Sequence, residues 1–372
     1  MSASALSSLL TATVLLTLVL PGVRSMSVAD VGADGEELGR NSKFIFTLVK
    51  FPNVKCGSGL DAGTCVTGAE CTARGGSVVG SCAKGYGVCC KITLTGCGGT
   101  VTRNNTLVLS TDYPSYYNEA KTCEYKVQFD DAPGHVCQIR YQHISNELVA
   151  PSSVGVCEND KLVFKEDTKS TYFCGKAPDN YQWNVATSGT SSPHTFTITT
   201  DSSSSNRRYA ILVTWIPCSV RVPGTCGMYF EGITGSITSY NFNNGYYLAG
   251  LNYGICFRKE QGRCTYTLRK TTNNQFIGGP TDVLRLPMGR RLNLVNDPSF
   301  PFSPILCPTL TSSAMYRNPS ICFYPSEMVS DQTQGPFFIN VYTAVDTDEN
   351  RNTFVTDTRA GYQFDWEHNT CT

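Results

Sequence analysis

The sequence predicts an all-β protein: two sister domains, each an antiparallel sandwich, behind a small disulfide-rich knot. Three observations carry this. A pattern of six cysteines occurs twice in succession, at Cys97, Cys123, Cys137, Cys157, Cys174 and Cys218, then at Cys226, Cys256, Cys264, Cys307, Cys322 and Cys371. Short β-branched or aromatic runs broken by Pro, Gly, Asn or Ser fill the intervals, among them Thr106–Leu109, Cys123–Phe129, Val136–Gln142, Lys161–Phe164, Thr195–Thr199 and Tyr209–Ile216. No window sustains a helical period over about 12 residues. The copies also agree locally, CEYKVQFDDAPGHVCQIRYQ reading against CFRKEQGRCTYTLRK, and RYAILVTWIPC against AGYQFDWEHNTC.

Taken in order, residues 1–25 read as a secretory signal. An apolar stretch from Leu9 to Leu20 precedes Pro21-Gly22, with cleavage expected after Ser25. That stretch is too short to span a bilayer, and no later segment reaches the roughly 20 apolar residues a transmembrane helix needs. The expectation is a secreted, extracellular protein. Residues 26–55 hold a flexible acidic leader with Asp30, Asp34, Glu36 and Glu37, then a short apolar run from Phe44 to Pro52. Residues 56–90 carry Cys56, Cys65, Cys71, Cys82, Cys89 and Cys90, too dense for a sizeable hydrophobic core, so crosslinks must supply most of the stability. Their connectivity is open at this stage. The two sandwiches are placed at 97–219 and 226–371.

All 18 cysteines follow the signal and their number is even, which in an exported chain reads as disulfides. Zinc would call for CxxC pairs or Cys/His clusters, and only four histidines are present. With 30 Lys and Arg against 30 Asp and Glu, the net charge is zero and gives no basis for a nucleic-acid or anionic-membrane partner.

The residues of the first copy resemble the CUB family of extracellular sandwiches. The match rests on Cys97-Gly98-Gly99, Tyr113-Pro114-Ser115-Tyr116-Tyr117, Cys123-Glu124-Tyr125, Cys157-Glu158-Asn159-Asp160, Phe173-Cys174-Gly175, Phe196–Asp201 and Tyr209-Ala210-Ile211. The second copy resembles a divergent CUB-like repeat. It lacks an Asp three residues after Cys307 and has a long insertion between Cys264 and Cys307. The segment from Cys56 to Cys90 resembles the clip-like knots of arthropod extracellular proteins, and the whole order resembles secreted arthropod CUB proteins. The resemblance implies two jelly-roll-type sandwiches. It also implies the disulfides Cys97–Cys123 and Cys157–Cys174, leaving Cys137–Cys218. Applied to the second copy, it implies Cys226–Cys256, Cys307–Cys322 and Cys264–Cys371.

Many CUB domains hold calcium at one end of the sandwich. Carried over residue by residue, the resemblance implies Glu147, Asp160 and Asp201 as ligands in the first domain, with Tyr117 orienting the carboxylates. Such a set suits a hard cation, because charged oxygens converge from separate loops. The loop from Glu147 to Cys157 is longer than the family's usual one and contains Pro151, and turn roles for Asp160 and Asp201 stand as the alternative. No calcium is expected in the second domain, where Asp346 and Asp348 lack partners.

Other residues point away from catalysis. His135, His143, His194 and His368 sit in no metalloprotease or nucleophile-elbow context and read as surface or packing residues. Asn104-Asn105-Thr106 is a sequon, so Asn104 is an expected glycosylation site. Trp215 and Trp366 occupy matching last strands and read as core; Trp183 reads as an exposed loop aromatic, and Arg207-Arg208 as a solvated turn. The function expected is a secreted, non-catalytic binding protein for an extracellular protein or glycan, with calcium as its candidate cofactor. The alternatives are a structural matrix or cuticle component and, from the clip-like knot, a non-catalytic regulator of a protease cascade.

Overall fold

The structure is a computed structural model that describes residues 50–129, 136–166, 169–187, 193–271, 283–285, 289–291, 305–306, 327–331, 337–343 and 360–371. The signal and leader at 1–49, His135, Asp346, Asp348 and the Cys307–Cys322 pairing lie outside these residues.

The knot consists of β1 (Lys55–Cys56), β2 (Gly63–Val66), helix α1 (Gly68–Ala73), β3 (Ser77–Cys82) and β4 (Gly87–Thr95). The first sandwich contains β5 (Gly99–Val101), β6 (Thr106–Leu109), β7 (Lys121–Val127), β8 (Val136–Glu147), β9 (Lys161–Lys165), β10 (Ser170–Phe173), β11 (Tyr181–Ala186), β12 (His194–Thr200) and β13 (Arg208–Pro217). The second contains β14 (Cys226–Phe230), β15 (Thr234–Thr238), β16 (Asn252–Phe257), β17 (Arg263–Lys270), β18 (Val283–Arg285), β19 (Gly289–Arg291), β20 (Ile305–Leu306), β21 (Glu327–Asp331), β22 (Phe337–Tyr342) and β23 (Gln363–Thr370).

Strand order repeats between the sandwiches. The path β6-β13-β8-β11 has its counterpart in β15-β23-β17-β21, and β10-β9-β12-β7-β5 in β20-β18-β22-β16-β14. Each sandwich is closed by rings from both sheets. Tyr141 of β8 stacks on Phe164 of β9 with centroids 4.3 Å apart, and Phe257 of β16 meets Trp366 of β23 at 4.8 Å. These aromatic residues fill a layer that alternation along each strand points inward.

The knot belongs to the first sandwich. Strand β4 leaves it and runs parallel to β6, so β1, β2 and β4 extend the sheet of β6, β13, β8 and β11. Ala62 packs on Leu107, Ala210 and Leu212, the face of that sheet turned away from the sandwich core. The knot is closed by Cys56–Cys89, Cys65–Cys82 and Cys71–Cys90. In the sandwiches, disulfides join Cys97 to Cys123, Cys137 to Cys218, Cys157 to Cys174, Cys226 to Cys256 and Cys264 to Cys371. The bridge with a sequence separation of 107 closes the longest of these loops. In the chain-entropy picture a loop of that size is worth about 4–5 kcal/mol.

The two sandwiches share one core. Buried side chains form a single apolar cluster from Val101 to Trp366. Trp183, expected in a loop, lies instead on β11, 3% exposed, with its ring 5.1 Å from Tyr253. A Cβ on Gly227 would come within 2.7 Å of that indole, so only glycine lets β14 approach. Polar bonds fix the junction. Gln138 exchanges two hydrogen bonds with the Val222 backbone, at 2.8 and 2.9 Å, and Asn146 donates to the Tyr240 hydroxyl at 2.8 Å.

His143 stands in this junction with no exposed surface, among Phe164, Phe173, Tyr181 and Tyr240. Burial holds its pKa down to about 3, against an ordinary 6.5. Between those values only the unfolded chain takes up the proton, so the stability is whole above pH 6.5 and falls as pH drops below it. The slope is about 1.4 kcal/mol per pH unit from this residue. His368, held down to about 4 by burial, acts in the same direction. Urea unfolding followed from pH 7 to pH 5 should therefore show falling stability, and His143→Phe should remove about one proton's worth of that slope. An unchanged slope in the variant would contradict this account.

Candidate functional site

One end of the first sandwich gathers the charged residues. Strand β12 ends at Thr200 where its neighbour β9 begins at Lys161, the register placing Thr199 opposite Lys161. Asp201 and Asp160, one residue beyond each, therefore emerge side by side. In the other sheet β8 ends at Glu147 directly opposite Arg208, where β13 begins. The loop after β6 closes over this end through an antiparallel bridge, in which the amides of Tyr117 and Arg207 each donate to the other's carbonyl at 3.0 and 2.9 Å.

Arg207, expected in a solvated turn, has no exposed surface and is the centre of the site. Its Nε donates to Asp160 Oδ2 at 2.7 Å and its Nη2 to Asp160 Oδ1 at 3.0 Å, a two-pronged pair. Nη2 also donates to Asp201 Oδ1 and to Ser203 Oγ, and Nη1 to the carbonyls of Ser203 and Ser205. Burial pulls the guanidinium's pKa down, but the bonds and charge of Asp160 and Asp201 outweigh it, and the net direction is up. Asp160, 1% exposed, also accepts the amides of Val149 at 2.8 Å and Asp201 at 3.1 Å. Its two oxygens thus take four hydrogen bonds, about the full capacity of a carboxylate. Asp201 accepts the amide and hydroxyl of Ser203 at 3.0 and 2.6 Å. Those two bonds come first in holding its carboxyl below the ordinary value, with Arg207 adding to them.

Glu147 stays apart from this pair. Its Oε1 accepts from Arg208 Nη2 at 2.7 Å and its Oε2 from the Tyr116 hydroxyl at 3.0 Å. Arg208 lies over the Tyr116 ring at 4.5 Å. Partial burial works against ionisation of Glu147, but the bonds from Arg208 and Tyr116 bring its pKa below the ordinary value. Tyr117 sits beneath Lys121, whose Nζ is 4.1 Å from the ring centroid, and its hydroxyl is buried without a hydrogen-bond partner.

Of the calcium set, Asp160 and Asp201 come together, Glu147 points to Arg208, and Tyr117 bonds to neither aspartate. The residues do not fit a calcium ion, since the lone pairs of Asp160 are engaged by nitrogen donors. Among the described residues, no group of three His, Cys, Asp or Glu is placed to hold a metal. The signal that finds Arg207 is the phase of the last strand. Arg207 falls in step with the buried Tyr209, Ile211, Val213 and Trp215, whereas Arg208 falls in the opposite step.

The sequon residue Asn104 lies ahead of β6. Its Oδ1 accepts the amides of Asn105 and Trp215, each at 2.8 Å, and its carbonyl accepts Thr64 Oγ1 of the knot at 3.2 Å.

Sequence-family comparison agrees with this architecture. The CUB domain family matches residues 97–212 and the animal CUB domain family matches residues 223–369. The chain belongs to the CUB family and carries two such domains. Similar solved structures include the CUB1-EGF-CUB2 domains of rat MASP-1, at 12% identity over 73% of this chain and 99% of that chain, TM-score 0.27. The CUB1-EGF-CUB2 domain of human MASP-1/3 aligns at 13% identity over 71% and 98%, TM-score 0.25. The full extracellular region of zebrafish Gpr126/Adgrg6 aligns at 11% identity over 74% of this chain and 34% of that chain, TM-score 0.27. No curated protein matches the sequence.

Removing one member of a buried ion pair strands the other's charge, at a cost of about 3–5 kcal/mol. Asp160→Ala should lose stability on that scale in chemical denaturation. The half-buried Glu147, paired near the surface, should lose no more than about 1 kcal/mol as Glu147→Gln. Equal losses at the two positions would refute this ranking.

Proposed function

We infer that the chain is an exported, non-catalytic binding protein whose first CUB domain grips an extracellular protein through the surface of Tyr116, Arg208 and Glu147. The observation that carries this is Tyr116: a large ring, 43% exposed, held between the guanidinium of Arg208 and the carboxylate of Glu147. A ring held in this way has little rotamer freedom left to lose on contact, and tyrosine and arginine are the residues that interfaces favour.

Export is supported by eight disulfides among the described residues, which persist in oxidising surroundings. No helix among the described residues is long and apolar enough to cross a membrane. A non-catalytic role is supported by the histidines: His143, His194 and His368 are all buried, each against aromatic rings. A glycan on Asn104 completes the reading, and digestion with a peptide N-glycosidase should lower the mass of the secreted chain, with no shift in Asn104→Gln. A second reading, a structural matrix component, draws on the knot and shared core, which make one stiff crosslinked body.

The test is saturable binding of the labelled full chain to extracellular matrix and cell surfaces. The paired substitution Tyr116→Ala with Arg208→Ala should weaken binding at least about tenfold while leaving the melting temperature close to wild type. Binding that survives the substitution moves the contact elsewhere. Loss of wild-type binding after periodate oxidation of the target's sugars reassigns the partner to glycan. A protein that fractionates with insoluble material instead supports the structural reading.

A further inference from the structure

We propose that Arg207 takes the place of a metal ion at the loop end of the first CUB domain, an internal cation that keeps this end ordered without calcium. This stands apart from what the surface binds. The Asp160 carboxylate has almost no exposure, and a carboxylate buried to that degree is costly without a charged, hydrogen-bonding partner. A bound divalent ion meets that need by drawing oxygens from several loops into one shell. Arg207 collects the same kind of shell: the carboxylates of Asp160 and Asp201, the carbonyls of Ser203 and Ser205, and the Ser203 hydroxyl.

The loops so tied are separate in sequence. Asp160 adds the amide of Val149 from the loop after β8, and the backbone bridge between Arg207 and Tyr117 adds the loop after β6. The guanidinium differs from an ion in two respects. It is part of the chain, so no chelator removes it, and it keeps its proton throughout the physiological range. Its planar fork also specifies where each oxygen sits, which a point charge does not.

The experiment compares the full secreted chain in excess calcium and in excess chelator, by thermal melting and by calorimetric calcium titration. The wild type should give no binding heat and the same melting temperature in both. Arg207→Ala should melt on the order of 10 °C lower in chelator and recover part of the loss in calcium, because two carboxylates would then face each other unpaired. Arg207→Lys, which keeps the charge and loses the fork, should melt lower than wild type and ignore calcium. If Arg207→Ala fails to fold, the wild type and Arg207→Lys decide the matter. One-site calcium binding by the wild type would overturn the proposal. So would Arg207→Lys as stable as wild type, or a folded Arg207→Ala that gains nothing from calcium.

Discussion

Strand β13 has two faces, and the molecule makes demands on both. Facing the sandwich, Tyr209, Ile211, Val213 and Trp215 belong to the main core. Facing the other way, Ala210 and Leu212 receive Ala62 of the knot. At the start of the strand the same alternation divides two adjacent arginines, sending Arg207 inward to Asp160 and Arg208 outward to Glu147 and Tyr116. A slip of one residue would exchange the faces, undoing the placement of both arginines and turning four core side chains toward the knot. Core, charge pair, recognition surface and knot seat all depend on one register.

A second dependence runs between the sandwiches. CUB repeats joined by a flexible linker would each bury their own core. Here Trp183 and Tyr181 of the first repeat meet Tyr253 and Tyr240 of the second, and Asn146 reaches across to the Tyr240 hydroxyl. The junction is aromatic in the middle, with directional polar bonds around it. Such an arrangement favours one relative orientation, because rotating one sandwich against the other would break the Asn146–Tyr240 bond and leave its buried groups unpaired.

The all-β class and the doubled sandwich were legible because cysteine spacing and period-two runs are local signals. The run Tyr209–Ile216 already contained most of β13. The role of Arg207 was harder to read, since a pair of arginines after a serine-rich stretch looks like a solvated turn; continuing the strand's alternation backward by two residues exposes the inward position. The place of Trp183 is hard to read for a similar reason. Its neighbours Pro178, Asp179 and Asn180 signal a turn, yet Tyr181, Trp183 and Val185 alternate onto one face and find their partners only across the domain junction. Residue type at matching positions suggests calcium ligands, but it cannot reveal that the guanidinium just ahead of β13 fills the space between the two aspartates.

The union of β4 with β6 gives the knot a further consequence. The pairs Ile92–Thr106 through Thr95–Leu109 occupy the backbone donors and acceptors along the free side of β6. Were β4 to peel away, that side would become a flat template onto which a strand of another molecule could add. The three cystines hold β4 in a body too small to fold by apolar burial alone. Their reduction would therefore do its damage at a distance, giving the sandwich an adhesive margin.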